Sequence, residues 1–562
     1  MMNRILRILL GVNLVLLGLV AVWSRVVHLN WLPGVNGDEC WYGIQARQLI
    51  AGVPFEPFTP TGNPLNPIHF GPLVLLLNYL PPSVALLRVP TVMAGLALLL
   101  LGYWLIARTH DRVTAAAVTI LMATNPALIA YARFGWDSSW SPLVSLLVVY
   151  AALRGRLLAL GAALVVAALV HPTNVFLAPL AFTLWCARWD PARWARWGDA
   201  LRDAGKRYRL IWLGLVVSGI ILVSVLYSRQ WHHRPGGHGL GSRFVAANAG
   251  HFALRVVDLV SGISTLTYIA GPIPEPIRRG LEVVLAAIGV IVVGLGTARL
   301  RRRRDWPGVG LVVGIVLAWS SLYVIGGPNA IEPHYERYGM GLLVPTLWLL
   351  AVCAREVLVP RDATPPPGPG GRRLLVVMSV LGWMGLIGAR EGYFRVFERT
   401  GGDSHVAFRT DQVEPKLQAL RLILDDARGR PARVVAEDWW LEQPLRYLGP
   451  GPKQLTVLLQ DVKEPWAVAN PRPGLRRRIR DAVRPALGLS LARYDLSTRV
   501  DLLTEAEQGS YLLVFVGQDG EELITSHFDA AALKVWTIQD RGRRDLIRLY
   551  RLVDPAPGRR GR

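Results

Sequence analysis

The sequence predicts a mostly α, polytopic membrane protein of about 11 transmembrane helices, with an α/β domain outside the membrane at its C-terminal end. Three observations predict it. The 562 residues are 52% hydrophobic and only 18% charged, with a mean hydropathy of +0.32, against about 25% charge in an ordinary soluble domain. The apolar residues come in long uninterrupted runs. After residue 390 the runs shorten to strand length and charged residues fill the gaps. This composition excludes a disordered chain, a coiled coil and a disulfide-stapled secreted module.

The first run, Ile5 to Val27, is too long for a typical signal-peptide core and lacks a small-residue cleavage site, so it reads as a first span. Further runs cover 83–107, 113–131, 139–153, 157–170, 174–187, 210–228, 280–298, 308–326, 339–356 and 374–389. A span needs roughly 17–25 residues, so the stretches at 139–153, 157–170 and 174–187 must end on polar or interfacial residues. Long loops follow the first span (28–82) and the run at 210–228 (229–279). A Pro/Gly-rich linker, Thr364 to Gly371, precedes the last span. The expected domains are a membrane unit over 1–390 and a soluble unit over 391–562. No inverted repeat of the secondary-transporter kind is visible.

The net charge is +22, carried almost wholly by arginine, a usage expected of a GC-rich bacterial genome. With the N-terminus inside, the inner segments collect Arg4, Arg7, Arg108, Arg112, Arg154 and Arg156. They also hold the basic stretch 188–209, Arg299, Arg301 to Arg304, Arg355, Arg361, Arg372 and Arg373. The short outer turns hold few, among them Arg47, Arg133 and Arg337. This asymmetry predicts a multi-pass plasma-membrane protein with a cytoplasmic N-terminus and an extracytoplasmic tail. Cys40, Cys186 and Cys353 show no metal-binding spacing, and their places in this topology argue against a disulfide.

The tail carries strand-like runs at 432–436, 454–459, 511–517, 533–538 and 546–553, and helix-like stretches at 414–428 and 520–531. Strands alternating with helices predict a small α/β domain. It has no Gly-rich phosphate loop and no catalytic-triad signature.

The chemistry-bearing residues fall on the outer face of this topology. Gly37-Asp38-Glu39-Cys40-Trp41-Tyr42 opens the first loop. Asp38 reads either as a general base at the membrane surface, with Glu39 orienting substrate or helping to hold a cation, or merely as the N-cap of a helix over 39–50. Asp137, after Arg133, reads either as a second carboxylate facing the same cavity or as an interfacial cap beside Trp136 and Trp140. His171 reads as a ligand or, better, as part of a helix break with a capping Asn174. His232, His233, His238 and His251 line a basic loop whose spacing fits no tight metal site. Glu332-Pro333-His334-Tyr335-Glu336-Arg337-Tyr338 is the densest outer polar cluster. Arg337 suits a phosphate leaving group, because guanidinium binds phosphate in a forked manner, with His334 and Tyr338 as added donors. The bland reading of that cluster is a Glu336–Arg337 surface pair. Trp439 and Trp440 read as a sugar-contacting surface or, more often for such pairs, as core.

One span, then Asp38-Glu39-x-x-Tyr42 opening an amphipathic helix, resembles the GT-C superfamily of membrane glycosyltransferases. The nearest branch is that of the protein O-mannosyltransferases and aminoarabinose transferases. Leu87-Arg88-Val89-Pro90-Thr91, Tyr131-Ala132-Arg133-Phe134-Gly135 and Glu336-Arg337-Tyr338 match it in order, so the resemblance covers roughly 25–390. It implies a GT-C fold and transfer of a sugar, mannose or similar, from a polyprenyl-phosphate donor to a hydroxyl of a protein, lipid or glycan acceptor. It implies Asp38 and Glu39 as catalytic residues and Arg337 at the substrate; Tyr338, His334, Asp137, Arg133 and Tyr42 are the further substrate-binding candidates on the same face. A divalent cation, Mg or Mn, is the one cofactor it allows for. Relatives carry a Glu late in the first loop, where this chain has Asn63-Pro64-Leu65-Asn66-Pro67-Ile68-His69 with no acid. Two other classes stay open: a lipid or glycolipid flippase or transporter, and a non-catalytic scaffold of the same fold. The first would need mid-span charges or matched broken helices.

Overall fold

A computed structural model of the chain describes residues 2–53, 55–57, 59, 65–188, 245–270, 274–332, 335–359, 369–403, 412–460 and 499–553. Its helices run α1 (Met2–Val26), α2 (Gly37–Ile50), α3 (Pro67–Tyr79), α4 (Val84–Thr109), α5 (Arg112–Thr124), α6 (Pro126–Ala132), α7 (Ser141–Arg154), α8 (Leu157–Val170) and α9 (Leu177–Ala187). They continue with α10 (Ala246–Ser261), α11 (Ile263–Ala270), α12 (Glu275–Arg302), α13 (Trp306–Gly326), α14 (Met340–Leu358), α15 (Pro369–Ala389) and α16 (Arg395–Thr400). The tail follows as α17 (Val413–Ala427), β1 (Ala432–Ala436), α18 (Trp439–Leu448), β2 (Leu455–Gln460), β3 (Arg499–Val500), α19 (Leu502–Glu507), β4 (Tyr511–Phe515), α20 (Asp519–His527), β5 (Leu533–Gln539) and β6 (Asp545–Leu552).

Among the described residues six helices are long and apolar enough to cross a membrane, and the bent pair α5–α6 makes a seventh. The runs at 139–153, 157–170 and 174–187 are helical but fall short of a full span. The run at 210–228 lies outside the described residues. The expected straight span over 113–131 is instead broken by 64° between α5 and α6. The cause is Pro126, which has no N–H and forces Asn125 into an extended conformation (ψ 123°). The carbonyls freed by the break are taken by a buried arginine of α1. Arg25 Nη1 donates to Ala123 O at 2.9 Å and Arg25 Nη2 to Met122 O at 3.1 Å.

The chain folds as two compact units. The first comprises 1–25, 93–132 and 137–393. Within it α14 is the most enclosed span, packed against α5, α7, α12, α13 and α15. Helices α9 and α13 approach closely because Gly310 and Gly314 leave room: a Cβ at Gly310 would lie 2.5 Å from Ala187 Cβ. By contrast α12 exposes Ile277, Leu281, Val283, Val284, Ile288, Val290 and Ile291, the pattern of a lipid-facing helix.

The second unit comprises 26–92, 133–136 and 394–562. It therefore cuts the chain differently from a boundary at 390, taking the first long loop together with the tail. Its sheet has the order β3-β2-β1-β4-β6-β5, parallel across the first four strands and antiparallel at β4–β6 and β6–β5. Side-chain alternation of period two explains its layers. Val434, Ala436, Val457 and Leu513 pack on one face with Ala419 and Ile423 of α17 and Leu441 and Leu445 of α18. Val435, Leu512 and Val514 pack on the other with Leu502 of α19 and Ile524 of α20. The five long strands and both helices expected from the sequence are present within two residues at most boundaries. The sequence reading missed the two-residue β3 and the helices α18 and α19.

Candidate active site

The catalytic-site candidates fall into both units. In the second unit, α2 begins two residues earlier than expected. Its N-cap is Asn36, whose Oδ1 accepts from Asp38 N at 2.7 Å. Glu39 completes a capping box by accepting from Asn36 N at 3.3 Å. The reading of Asp38 as the helix cap is thereby corrected. Asp38 sits half-buried in the first turn, where the helix dipole favours its charge.

Glu39 is fully enclosed and its oxygens are engaged. Oε1 accepts from Arg88 Nε (2.9 Å) and from Gly135 N (2.7 Å), and Oε2 accepts from Arg88 Nη2 (2.9 Å). Arg88 donates its remaining hydrogens to the carbonyls of Leu29 (2.9 Å), Pro33 (2.8 Å) and Gly34 (2.5 Å). All five guanidinium donors are thus used. Arg133, also fully enclosed, donates to Val27 O (2.6 Å) and Leu32 O (2.9 Å) and stacks over the Phe394 ring. Two guanidiniums therefore hold the turn that leads from the first span to Asp38. Gly135 is required at its position, since a Cβ there would lie 2.7 Å from Leu87 O.

Tyr42 is buried edge-on against His69, with ring centroids 4.9 Å apart. Burial, opposed by a hydrogen bond with the Gly135 backbone, pulls the His69 imidazole down to about 4, so it is neutral at pH 7. Glu56 is buried in the same loop, its N–H donating to Gln45 Oε1 at 2.6 Å. Neither His69 nor Glu56 was singled out from the sequence.

In the first unit, the turn at 336–338 gathers several candidates. Glu336 does not pair with Arg337. It is buried and accepts from Thr265 Oγ1 at 3.4 Å, which corrects the surface-pair reading. Arg337 Nη2 donates to Tyr338 OH at 3.4 Å, and the Arg337 backbone hydrogen-bonds Tyr131. The Tyr338 ring stacks on Tyr335 and meets His171 at 5.8 Å. The turn at 137–140, which begins with Asp137, packs beside 336–338. Asp137 Oδ1 accepts from Ser138 N at 2.7 Å. His334 lies outside the described residues, as do His232, His233 and His238.

The predicted break at His171 is present. His171 Nδ1 accepts from Thr173 N, so the histidine itself caps the next turn, while Asn174 Nδ2 donates to Ala167 O at 2.9 Å and closes α8. Burial, reinforced by Arg337, pulls His171 down to about 3. His251 pairs with Glu332 at 3.2 Å. Nearby, Arg255 and Arg278 join Asp258 and Glu282 in a buried cluster tying α10 to α12.

Burial pushes the Glu336 carboxyl up to about 7, against the Ser264 and Thr265 hydroxyls and with Asp258 adding to the rise. The folded protein therefore holds this proton more tightly than the unfolded chain. The carboxyl contributes no penalty below its unfolded value of 4.5, and its full burial penalty appears above about 7. Stability from this group falls as pH rises between those values. His171 gives the opposite slope below 6.5, so the test is a difference. Glu336→Gln is expected to raise the melting temperature in detergent relative to wild type at pH 8 more than at pH 5. An equal change at both pH values would refute the assignment.

Among the described residues, no group of three or more His, Cys, Asp and Glu side chains is arranged to hold a metal ion.

No family model matches the chain, and no curated protein sequence matches it. In three dimensions it is similar to ArnT, the aminoarabinose transferase, from Cupriavidus metallidurans. Against the apo structure the identity is 14% and the TM-score 0.51, over 95% of this chain and 97% of that one. Against the structure bound to undecaprenyl phosphate the identity is 14% and the TM-score 0.50, over 97% and 99%. What the likeness shows is the fold, that of a polytopic membrane protein.

Proposed function

We propose that this chain is a membrane glycosyltransferase that moves a sugar, mannose or similar, from a polyprenyl phosphate to an acceptor hydroxyl on the extracytoplasmic face. The GT-C fold over nearly the whole chain supports the class by analogy, and the ArnT structure bound to undecaprenyl phosphate supports a polyprenyl lipid as donor carrier. One observation carries the assignment of roles. Of the adjacent carboxylates, Glu39 is fully enclosed against Arg88 and Gly135, whereas Asp38 is half-exposed in the first turn of α2. Asp38 is then the base and Glu39 the residue that positions it.

The acceptor oxygen attacks the anomeric carbon as the bond from that carbon to the phosphate oxygen breaks. The acceptor proton passes to Asp38, and polyprenyl phosphate leaves with the bond's electron pair. Arg337, backed by Tyr338, offers donors to the phosphate as its negative charge grows. Phosphate leaves without protonation by a second carboxylic acid, unlike the leaving group of a glycosidase. Loop charge assigns Asp38 and Arg337 to the same outer face.

The test is release of polyprenyl phosphate by purified full-length protein in lipid, across a panel of polyprenyl-phosphate sugars with a crude acceptor extract. Release dependent on the extract supports the reading and names the sugar. Binding of the lipid with no release from any donor sinks it in favour of a flippase or scaffold. In the same assay Arg337→Ala is expected to lower kcat/KM by about 10²- to 10³-fold. Arg337→Lys, a point charge without the forked geometry, should recover only part of this. Full activity of Arg337→Ala would remove Arg337 from the leaving-group role.

A further inference from the structure

We propose that Trp439 is a positioning residue for Asp38, so that the α/β domain takes part in the transfer step rather than serving only as an appended binding module. This rests on the reading of Asp38 as base. Gly37 is the first residue of α2 and the neighbour of Asp38. A Cβ built on Gly37 would lie 2.1 Å from Trp439 Cδ1 and 2.2 Å from Trp439 Nε1. The indole therefore rests directly on the main chain that carries Asp38, in the space a side chain would otherwise fill.

The ring is itself held. Asp438 caps α18, its Oδ1 accepting from Trp440 N at 2.8 Å and Leu441 N at 3.1 Å. Trp439 packs against the apolar cluster built from Val35, Trp41, Leu87, Val413 and Tyr447. Further along α2 the same helix is gripped again. A Cβ on Gly43 would lie 2.4 Å from the Tyr447 ring. Arg47 Nη1 donates to Tyr447 O (2.5 Å) and Gly449 O (3.0 Å), and Tyr447 OH donates to Ser83 O (3.0 Å).

Tyr447, Ser83 and Arg47 fix the body of α2, while Trp439 alone of these touches the turn bearing Asp38. Glycine is the residue with the most backbone freedom to lose, so the indole on Gly37 adds its constraint to that of the Asn36–Glu39 capping box. A base displaced by about 1 Å loses rate on the order of 10²-fold, and it does so without altering donor binding. The expected signature is thus a fall in kcat with KM for the lipid donor preserved.

The experiment compares full-length wild type, Trp439→Ala, Trp439→Phe and Gly37→Ala in lipid nanodiscs by two readouts. Amide hydrogen exchange across 36–40 reads the constraint directly, whether or not the enzyme turns over. Steady-state release of polyprenyl phosphate reads its consequence. Trp439→Ala should speed exchange at Asp38 and Glu39 and lower kcat by about 10- to 100-fold, with donor KM within about 2-fold. Trp439→Phe, which keeps a ring on Gly37, should stay within about 3-fold of wild type. Gly37→Ala, whose methyl displaces the indole, should reproduce the lesion from the other side and serves if Trp439→Ala does not fold. Unchanged exchange at 36–40 overturns the proposal, as does an unchanged kcat in an active enzyme or a loss that falls on KM. If wild type releases no polyprenyl phosphate, the glycosyltransferase reading fails while the exchange measurement still decides whether Trp439 holds the turn.

Discussion

Asp38→Asn is expected to cut polyprenyl-phosphate release by about 10²- to 10⁴-fold, the usual worth of a positioned base. The substitution keeps the shape of the side chain and its place in the first turn of α2, and it leaves the Asn36–Glu39 capping box intact. Folding and donor binding should therefore be unchanged, with the loss falling on kcat. Wild type and variant are compared in the same liposome preparation with donor binding measured in parallel. Equal release by both would leave the enzyme class standing and refute Asp38 as the base.

Arg88→Met is expected to destabilise the protein by about 3–5 kcal/mol, because it leaves the enclosed Glu39 carboxylate without its cation. It also strips the carbonyls of Leu29, Pro33 and Gly34 of their donors. Arg88→Lys should fall between, since an ammonium has three donors where five are used. The measurement is thermal unfolding in detergent, supplemented by a double-mutant cycle with Glu39→Gln. A coupling energy well above the roughly 0.5 kcal/mol scatter of independent sites is expected. A wild-type melting temperature for Arg88→Met would show that the pair contributes nothing.

The long spans and the five long strands were legible in the sequence because each is written locally. Apolar runs of the right length mark a span, and short apolar runs between charged stretches mark a strand. The break in the span at 113–131 was also written locally, in Asn125-Pro126, but hydropathy averaged over a run passes across it. Arg88 could have been found as the one charge in the run 83–107. The inward turn of Glu39 could not. Which carboxylate turns inward depends on partners 49 and 96 residues away. The same holds for α18, whose Tyr447 meets Arg47 across 400 residues. Its role at α2 is a property of the assembled unit, and nothing in Glu437-Asp438-Trp439-Trp440 announces it. For Arg337 the motif was visible, while the inward turn of Glu336 toward Thr265 was not.

The buried arginines change what an inventory of basic residues means for this protein. Arg25, Arg88 and Arg133 have no exposed surface, and each donates to main-chain oxygens, Arg88 to the Glu39 carboxylate as well; Arg47 also donates to main-chain oxygens, at the end of α18. Arg47 and Arg133 are among the few basic residues that loop charge assigns to the outer face, so their departure from the inside rule has a local cause. They act as internal fasteners, not as ballast that orients the chain during insertion. A gene recoded to replace arginine by lysine throughout would keep its formal charge and its topological bias. It would lose the fasteners, because a single ammonium cannot bridge carbonyls on two sides of a turn. Tolerance to that exchange should therefore be lost at these four and kept at exposed arginines such as Arg301 and Arg302.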